Sequence, residues 1–502
     1  GTLIRKFDST YQASYDPEEL DEESIIYNDV QGAGQLPTGF TPESYYASRY
    51  HPRALQMAIM GASDAINSLG IPWETMRSSV APDQIGVYAS NIMGQLDTNG
   101  FGGMLQSRLK GKRVTAKQCP LGLNSMCADF VNAYVLGNIG QTSASTGACA
   151  TFLYNLNSAV EDIKSGKIRV AVVGSSEAPI TPEIVEGYNA MGALATNKKL
   201  SAIEKNDADW RKSSRPFGES CGFVISESSQ YIVLMDDALA IELGAEIYGS
   251  VTDVYINADG FKKSIAAPGP GNYITMAKAV NSAIAMTGLN VVQNHSFIQA
   301  HGSSTPLNCI TESEIFHKVA EAYSITDWPV SAVKSYLGHS LGPASADQLV
   351  SCLGTFRYNI LPGIKSVDEV NTNINSSRLH ICLKDQDFGD KAPHVAFINS
   401  KGFGGNNATT VIYSPELTLS WLQNRHGMDK IREYQIKKED VISNIDDYDK
   451  SASIGSFQVI YNFDGSSKYS GDVEISAEEM SIPGFNEPLR FNYTNLYNDF
   501  FS

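Results

Sequence analysis

The segment SASTGACATFLYNLNSAVEDIKSGKIRVAVVGSSEA, residues 143–178, decides the fold class. Within it, small and then apolar residues recur at spacings of three and four up to Gly166, which predicts a helix that ends at this glycine. The β-branched run over residues 168–178 follows directly and is typical of a strand buried on both faces. A strand, a helix and a strand in this order form a βαβ unit, so the chain belongs to the α/β class.

The same alternation continues on both sides of this segment. Toward the N-terminus, helical spacing of apolar residues predicts a helix over residues 50–69 that stops at Gly70, and IGVYAS at residues 85–90 predicts a buried strand. Toward the C-terminus, the pattern predicts helices over residues 273–286, from about residue 311, and over 348–356, and strands over 296–302, 329–335, 394–400 and 409–414. Two α/β halves of similar size indicate an internal duplication.

The residues beyond Pro415 differ in character from the α/β part. They are more charged and more polar, with possible strands at SFQVIYNF (residues 456–463) and GDVEISAEE (residues 471–479). We interpret them as an appended segment of undefined role.

Composition narrows the classes of protein to consider. At 502 residues the chain is long enough for two fused domains, and its 42% hydrophobic residues supply a core. The 55 acidic residues exceed the 38 Lys and Arg residues, so the net charge is −17. A surface of this sign repels nucleic acid, which argues against a general DNA or RNA binder. An acidic partner protein would need a local basic patch.

Cysteine usage and hydropathy indicate the compartment. The seven cysteines are scattered and form no CxxC pair, which favours a reducing, cytoplasmic environment. No run of eighteen apolar residues predicts a membrane span. The chain starts abruptly at Gly1 without a signal-peptide pattern, so the native N-terminus is left open.

Cys149 is the first candidate for chemistry. It lies in STGACAT, after a strand-like stretch and at the start of the predicted helix. Unpaired backbone N–H groups and the helix dipole at such a position stabilise a thiolate, so we expect a lowered thiol pKa and a nucleophilic sulfur. Small neighbours at 147, 148 and 150 leave room for a substrate carbonyl. The alternative is a buried structural cysteine in an Ala-rich helix.

Two histidines and a lysine also follow predicted strands. His301 lies in QAHGSSTP, and His339 lies in VKSYLGHSLGPAS with Lys334 five residues before it. Sites gather at the carboxyl ends of strands in open α/β sheets. Taken singly, each histidine is better explained as an ordinary loop histidine and the lysine as a solvated surface charge.

The glycine-rich segment NSKGFGGNN, residues 399–407, lies at another strand end. Two interpretations of this segment are a simple turn and a phosphate-binding loop. The P-loop motif and the helix that follows it are both missing here, which argues against a P-loop. The chain also has no HExxH motif and no paired cysteine spacing, so we predict no metal site. A cysteine and histidines after separate strands fit nucleophilic catalysis better.

Together these segments resemble the decarboxylating β-ketoacyl synthase family of the Cys-His-His type. The resemblance runs from about residue 5 to residue 414 and rests on STGACAT, AHGSSTP, VKSYLGH and GFGG in this order, with SRPFGESCGFVISE (residues 214–227) between the halves. It implies a thiolase-like fold, two duplicated α/β halves in a five-layered core, and a homodimer. We therefore expect an N-terminal half over 1–235 with the family's first strand missing, a C-terminal half over 236–414, and the appended segment over 415–502.

The resemblance implies a 3-oxoacyl-acyl-carrier-protein synthase, an acyltransferase of fatty acid biosynthesis that joins an acyl thioester to a malonyl thioester with loss of carbon dioxide. Cys149 would carry the acyl group, and neutral His301 and His339 would stabilise the enolate left by decarboxylation. Lys334 would help keep both histidines neutral. The backbone N–H groups of Cys149 and Phe403 would form the oxyanion hole.

The remaining site residues are also assigned by resemblance. Ser303 and Thr305 would bind the pantetheine arm, and Tyr188 would line the acyl pocket. Phe403 would gate the site, with Gly402, Gly404 and Gly405 allowing its movement. No bound cofactor is implied, because the substrates arrive on the phosphopantetheine of acyl carrier protein or coenzyme A.

Three residues depart from the family pattern. Lys401 stands in place of an aromatic residue before GFGG, Gln348 in place of a glutamate that partners the active-site lysine, and Cys309 in place of an acid after the pantetheine motif. With the appended segment, they indicate a divergent bacterial branch and leave chain length and primer open.

Other activities are compatible with parts of this pattern. They are an initiating enzyme primed by acetyl-CoA, a polyketide-type ketosynthase, a Cys-His-Asn thiolase, and a non-catalytic partner like a chain-length factor. His339 argues against the Cys-His-Asn type, and Cys149 argues against the non-catalytic partner.

An acidic carrier protein needs a positive landing surface on this negative chain. The candidate docking residues are Arg49, Arg53, Arg108, Lys110, Lys112, Arg113 and Lys117. A solvated basic face is the alternative.

Overall fold

The structure is a computed structural model that describes residues 3–6, 29–205, 208–265, 267–463, 473–491 and 498–500. Near the N-terminus, β1 (Leu3–Lys6) and β2 (Gly32–Gln35) form a separate antiparallel pair. The N-terminal half is built on a mixed sheet of four strands in the order β4-β3-β5-β6. These strands are β3 (Ile85–Ala89), β4 (Thr142–Ser143), β5 (Val170–Glu177) and β6 (Ser228–Met235).

The helices of this half include the two that the sequence predicts, which end before Gly70 and Gly166. Its helices are α1 (Arg53–Asn67), α2 (Trp73–Ser78), α3 (Phe101–Gln106), α4 (Gln118–Leu121), α5 (Met126–Phe130), α6 (Thr151–Lys164), α7 (Pro182–Ala190) and α8 (Asn197–Glu204), with a π-helix at Val131–Leu136 and 3₁₀ turns at Pro42–Ser44 and Trp210–Lys212. Gly70 and Gly166 adopt positive φ just after α1 and α6, which confirms both as helix stops. All of β5 is buried, as its β-branched run predicts.

The C-terminal half carries a six-stranded sheet in the order β11-β9-β8-β13-β14-β7. Its strands are β7 (Ser250–Ala258), β8 (Ser296–Gln299), β9 (Trp328–Ser331), β11 (Leu379–Ile381), β13 (Val395–Gly402) and β14 (Asn406–Tyr413), and β10 (Ile360–Leu361) pairs separately with β12 (Gln386–Asp387). Its helices are α9 (Asp237–Leu243), α10 (Gly271–Thr287), α11 (Leu289–Asn294), α12 (Pro306–Ala322), α13 (Lys334–Leu337) and α14 (Ala344–Tyr358).

Two predicted boundaries in this half were wrong. The helix expected from residue 311 begins at Pro306, because this proline occupies the first turn, where a missing N–H costs no hydrogen bond. The strand expected over 329–335 ends at Ser331, and the chain turns into α13 at Lys334.

The duplication is visible in strand pairing. β3 pairs in parallel with β4 and β5, and β5 pairs antiparallel with β6. In the same way, β8 pairs in parallel with β9 and β13, and β13 pairs antiparallel with β14. The domain limits proposed after residues 235 and 414 fall between β6 and α9 and just after β14, and they stay a prediction, as does the missing first strand.

Helices and sheets alternate in five layers. α6 and α14 lie between the two sheets, where Phe152, Leu156 and Leu349 share one core cluster with residues of both sheets. α1 and the π-helix cover the outer face of the first sheet, and α10 and α12 lie outside the second. This packing brings the carboxyl ends of β8 and β9 close to the start of α6. None of the described helices is long and apolar enough to cross a membrane.

The segment beyond Pro415 departs from prediction. It begins with two helices, α15 (Pro415–His426) and α16 (Met428–Ser453). The sequence does not predict them, because only a narrow stripe of α16 is buried and the rest of its sequence is charged. Residues 456–463, expected as a strand, have no regular secondary structure and lie along α1, where Ser63 bonds the Ile460 backbone. The short strands β15 (Glu474–Ile475), β16 (Glu479–Ser481) and β17 (Leu489–Arg490) follow, then a 3₁₀ turn at Asn498–Phe500.

Candidate active site

Cys149 lies in a tight turn between β4 and α6. Ala148 takes a φ of 48°, a left-handed conformation that an L-residue rarely adopts and that turns the chain sharply before the helix. The Thr151 hydroxyl holds this turn, because it accepts from the Gly147 N–H at 3.0 Å and donates to the Ala148 carbonyl at 2.7 Å. From the other half, Ser400 donates to the Cys149 carbonyl at 3.0 Å. The cysteine is thus fixed by both halves of the fold.

The expected lowering of the Cys149 pKa was wrong. Burial raises the pKa of the thiol to about 11, since a thiolate there would lose its hydration. The positive charge of Lys334 and the backbone N–H groups of Phe403 and Cys149 oppose this shift without overcoming it. The resting sulfur is therefore a protonated thiol, and it needs a proton acceptor when it attacks a substrate.

His301 and His339 lie together at the interface of the two halves. Their ring centroids are 5.2 Å apart, with the ring planes 83° to one another. The pKa of each imidazole is held well below its ordinary value of 6.5, first by burial and second by the positive charge of Lys334. Both rings are therefore neutral at physiological pH, as the sequence predicts.

The segment between the halves clamps the loop that carries His339. The His339 N–H donates to the Val224 carbonyl at 2.6 Å, and the His339 carbonyl accepts from Ser226 N–H at 3.1 Å. The Leu341 N–H donates to Nδ1 of His339 at 3.2 Å, so the ring proton lies on Nε2. His339 can therefore donate a hydrogen bond through Nε2, while its other nitrogen is occupied.

Lys334 is buried behind the two imidazoles, with 2% exposure. Its Nζ donates to the His301 carbonyl at 2.6 Å. Burial lowers the pKa of Lys334 to about 8, and the negative charge of Glu312 is the largest opposing effect. The lysine thus supports both histidines without entering the cavity.

The carboxylate beside Lys334 comes from Glu312, which the sequence analysis missed. Glu312 accepts from the backbone N–H groups of His301 and Gly302 at 2.7 and 2.9 Å. Gln348, at the position where a glutamate was expected, instead donates to three backbone carbonyls, two at the end of β8 and one within β13. The sequence contains a signal for Glu312, because this acidic residue lies eleven positions after His301 on the helix that follows the histidine.

The GFGG loop closes over the nucleophile. A side chain on Gly402 would collide with the Gly147 carbonyl, so only glycine allows β13 to approach the Cys149 turn this closely. Gly404 and Gly405 take φ values of 88° and 89° and reverse the chain after Phe403. This arrangement leaves Phe403 on a short turn beside the sulfur.

An aromatic wall lines one side of the site. Tyr188 stacks on Phe403 with centroids 6.1 Å apart, and it contacts the edge of Phe223 at 5.3 Å. Phe223 in turn packs against the His339 ring at 5.2 Å. Tyr188 was predicted in this place, whereas Phe223 was missed although it lies in the quoted segment between the halves.

One cavity of about 680 Å³ joins these groups. Its lining includes the thiol-bearing Cys149, both imidazoles, and Ser303 and Thr305, whose hydroxyls are 3.0 Å apart. The structure therefore brings the predicted nucleophile, histidines and pantetheine-binding residues to one cavity.

A second missed carboxyl group is Glu177 at the end of β5. It accepts from the backbone N–H groups of Ile92, Met93 and Gly342, and burial raises its pKa to about 7. These contacts connect the loop after β3 to the loop that carries His339. We interpret Glu177 as a positioning residue of the site.

Enzyme activity is expected to fall as the pH rises above about 8, because Lys334 loses its charge there and no longer stabilises developing negative charge. On the acid side, both histidines stay neutral to well below pH 6.5, so the loss should come far lower. A pH profile of kcat/KM for wild type and for Lys334→Met checks this. An alkaline limb that persists unchanged in Lys334→Met would contradict the assignment.

A cysteine at a helix start that faces two neutral imidazoles, within a duplicated five-layered α/β fold, defines a condensing enzyme of the thiolase fold. The model of the β-ketoacyl synthase N-terminal domain matches residues 16–240, and the model of the C-terminal domain matches residues 248–368. The chain belongs to the β-ketoacyl synthase family and is an acyltransferase of the condensing type.

Relatives agree with this membership. The chain is 56% identical over 471 residues, covering 94% of its length and 74% of the other, to beta-ketoacyl-acyl-carrier-protein synthase FabY of Pseudomonas aeruginosa. It is 26% identical over 367 residues, covering 72% of its length and 84% of the other, to 3-oxoacyl-acyl-carrier-protein synthase 2 of Staphylococcus aureus. A crystal structure of the ketosynthase FabY from P. aeruginosa superposes with a TM-score of 0.94 at 49% identity, covering 99% of this chain and 86% of that one. The predicted thiolase-like fold is confirmed.

Proposed function

We propose that this chain is a 3-oxoacyl-acyl-carrier-protein synthase that condenses an acyl thioester with malonyl-acyl-carrier protein in fatty acid biosynthesis. The observation that carries the proposal is the single cavity in which Cys149 faces His301 and His339, both neutral. The name of the P. aeruginosa relative, a beta-ketoacyl-acyl-carrier-protein synthase, supports the same substrate class.

In the first half-reaction, Cys149 attacks the acyl thioester carbonyl, and the N–H groups of Cys149 and Phe403 receive the oxyanion. The thiol proton passes to an imidazole and then to the departing pantetheine thiolate. His301 is the better acceptor, because the Leu341 N–H already occupies Nδ1 of His339. The acyl group is then held on sulfur.

In the second half-reaction, the malonyl thioester oxygen accepts hydrogen bonds from the two imidazoles. The bond to the carboxyl carbon breaks, carbon dioxide leaves, and its electron pair forms an enolate that the imidazoles and Lys334 stabilise. The enolate carbon attacks the acyl carbonyl, and the Cys149 thiolate departs and takes up a proton from solvent, the one proton that the overall reaction consumes. Neutral imidazoles are required because they donate hydrogen bonds without protonating the enolate carbon.

Mass spectrometry of the enzyme mixed with acetyl- and longer acyl-carrier proteins tests this function. A mass increase of one acyl group on Cys149, followed by release of carbon dioxide when malonyl carrier is added, is expected. No covalent acyl enzyme with any carrier would overturn the proposal. The same series reports which primers load, and so tests initiation by an acetyl group.

The proposed partners are acyl carrier protein and a second copy of this chain, with a cytoplasmic location. Of the proposed docking residues, Arg53 uses two of its guanidinium nitrogens, Nε and Nη2, to bind the Glu227 carboxylate at 2.6 and 2.8 Å, so we rank it below the others. Arg49 and Lys117 lie over the Tyr50 ring. The basic residues between 108 and 113 are exposed beyond α3, so they stay candidates.

Charge reversal at Lys112 and Arg113 is expected to raise KM for carrier-bound substrates by about tenfold while sparing coenzyme A substrates, because only the carrier brings an acidic protein surface. Steady-state kinetics with both substrate forms measures this. The matched control reverses Lys384 and Lys391, which are exposed in the other half. Equal effects on carrier and coenzyme A substrates would discard the docking surface.

A further inference from the structure

Lys401 brings an ammonium group into the active-site cavity. It follows Ser400 on β13, and since Ser400 bonds the Cys149 carbonyl, strand alternation directs Lys401 to the opposite face. Its Nζ donates to the Thr311 hydroxyl of α12 at 3.0 Å. Lys401 lines the cavity together with His301, and its positive charge acts on that imidazole.

This ammonium group has spare hydrogen-bonding capacity. A lysine carries three donors, yet within the part of the chain that the structure describes Lys401 makes one side-chain hydrogen bond, to a neutral hydroxyl, and no ion pair. A largely buried cation without a counter-ion is unfavourable. The cavity side of Lys401 is therefore suited to an anion.

The nearby carboxylates are committed elsewhere. Glu312 accepts from the N–H groups of His301 and Gly302 and from Asn399 at 2.8 Å. Asp259 pairs with Lys262 at 3.3 Å and accepts from Asn407 at 2.8 Å. Burial lowers the pKa of Lys401, and the negative charges of Glu312 and Asp259 partly offset this, but neither carboxylate contacts the ammonium group.

We propose that the Lys401 ammonium group binds the free carboxylate of the malonyl thioester and so selects the extender substrate. This rests on the proposed function, because it assigns a role within the same cavity. A malonyl group carries one anion near its thioester, and one cavity is lined both by this ammonium group and by the imidazoles that would bind the thioester oxygen. A charge-assisted hydrogen bond suits that carboxylate.

Two anchors then orient the bond that breaks. The imidazoles hold the thioester oxygen while Lys401 holds the carboxylate, so the carbon–carbon bond can stand perpendicular to the thioester plane, where its electrons pass into the enolate. Carbon dioxide leaves as a neutral molecule, and Lys401 keeps its proton throughout. Lys401 is therefore a substrate-binding residue that determines specificity rather than an acid or base.

The test compares the binding of two inert analogues of the substrate in which an amide replaces the thioester. One carries a malonyl group, and the other carries an acetoacetyl group, whose neutral methyl ketone replaces the malonyl carboxylate. Wild-type enzyme should bind the malonyl analogue at least about tenfold more tightly, in line with a charged hydrogen bond. Lys401→Met should lose this preference and raise KM for malonyl carrier by a similar factor. Lys401→Arg should retain most of the preference, because it restores a donor cation.

Lys199→Met is the matched control, because Lys199 lines the same cavity but donates to the backbone carbonyls of Gly192 and Leu194. It should leave the analogue preference unchanged, and all variants should still load an acyl group on Cys149. An analogue preference that is unaltered in Lys401→Met, or equal weakening of both analogues, overturns the inference. Failure of wild type to decarboxylate malonyl carrier would instead overturn the proposed function.

Discussion

Replacement of Cys149 with alanine is expected to remove acyl loading and condensation together, with a loss of roughly 10⁴-fold or more in rate. The sulfur at this turn is the atom that would form the covalent acyl intermediate, and alanine fills nearly the same volume without a nucleophile. Intact-mass measurement after mixing with acyl carrier, together with a condensation assay, gives both readouts.

Cys221→Ala is the matched control for this variant. Cys221 lines the same cavity and is buried, but its sulfur donates to the Ser213 carbonyl at 3.4 Å and lies outside the turn before α6. We expect acyl loading to be kept in Cys221→Ala. An acyl adduct that persists in Cys149→Ala would show that another residue is the nucleophile.

Replacement of His339 with alanine should strongly slow decarboxylation of the malonyl substrate while leaving acyl loading of Cys149 largely intact. His339 has its proton on Nε2 and its Nδ1 occupied by the Leu341 N–H, so it is built to donate a hydrogen bond and not to accept a proton. Removal of one such donor to a developing oxyanion costs about 10² to 10³-fold in rate. Carbon dioxide release and intact mass, measured in parallel, separate the two steps.

His301→Ala sharpens this division of roles, because His301 is the proposed proton acceptor for the thiol. It should slow loading as well as decarboxylation. His394→Ala serves as the control, since His394 packs against His295 at 5.3 Å, outside the cavity. Loss of loading in His339→Ala to the same extent as in His301→Ala would show that the two histidines do not divide the work in this way.

Burial governs the electrostatics of the site. It raises the pKa of Cys149 to about 11 and lowers that of Lys334 to about 8, and it holds both histidines neutral. Cys149 lies just before α6, as predicted, but it has only 5% exposure. Its loss of hydration raises the thiol pKa more than the nearby backbone N–H groups lower it. A sequence motif shows which atoms are adjacent along the chain, but it does not show how much water they lose on folding.

Several site residues could be predicted because they lie at predictable ends of local elements. Cys149 precedes a helix with clear periodicity, and His301 and His339 follow strands with clear β-branched or apolar runs. Glu312 was missed and the contacts of Gln348 were not foreseen, because both depend on which helix packs against the end of β8. The ion pair of Arg53 could not be predicted, since its carboxylate partner, Glu227, is 174 residues away in sequence.

The sequence by itself determined the α/β class, the duplication, the order of the catalytic motifs and the reaction class they resemble, because these depend on periodicities and turns within short stretches. The tertiary structure alone decided the protonated state of Cys149, the acid beside Lys334, the aromatic wall with Phe223, and the place of the Lys401 ammonium group in the cavity. It also decided that residues 456–463 lie along α1 rather than forming a strand. The physical reason is the same in each case: desolvation, charge pairing and burial are set by residues distant in sequence that meet only when the two halves pack.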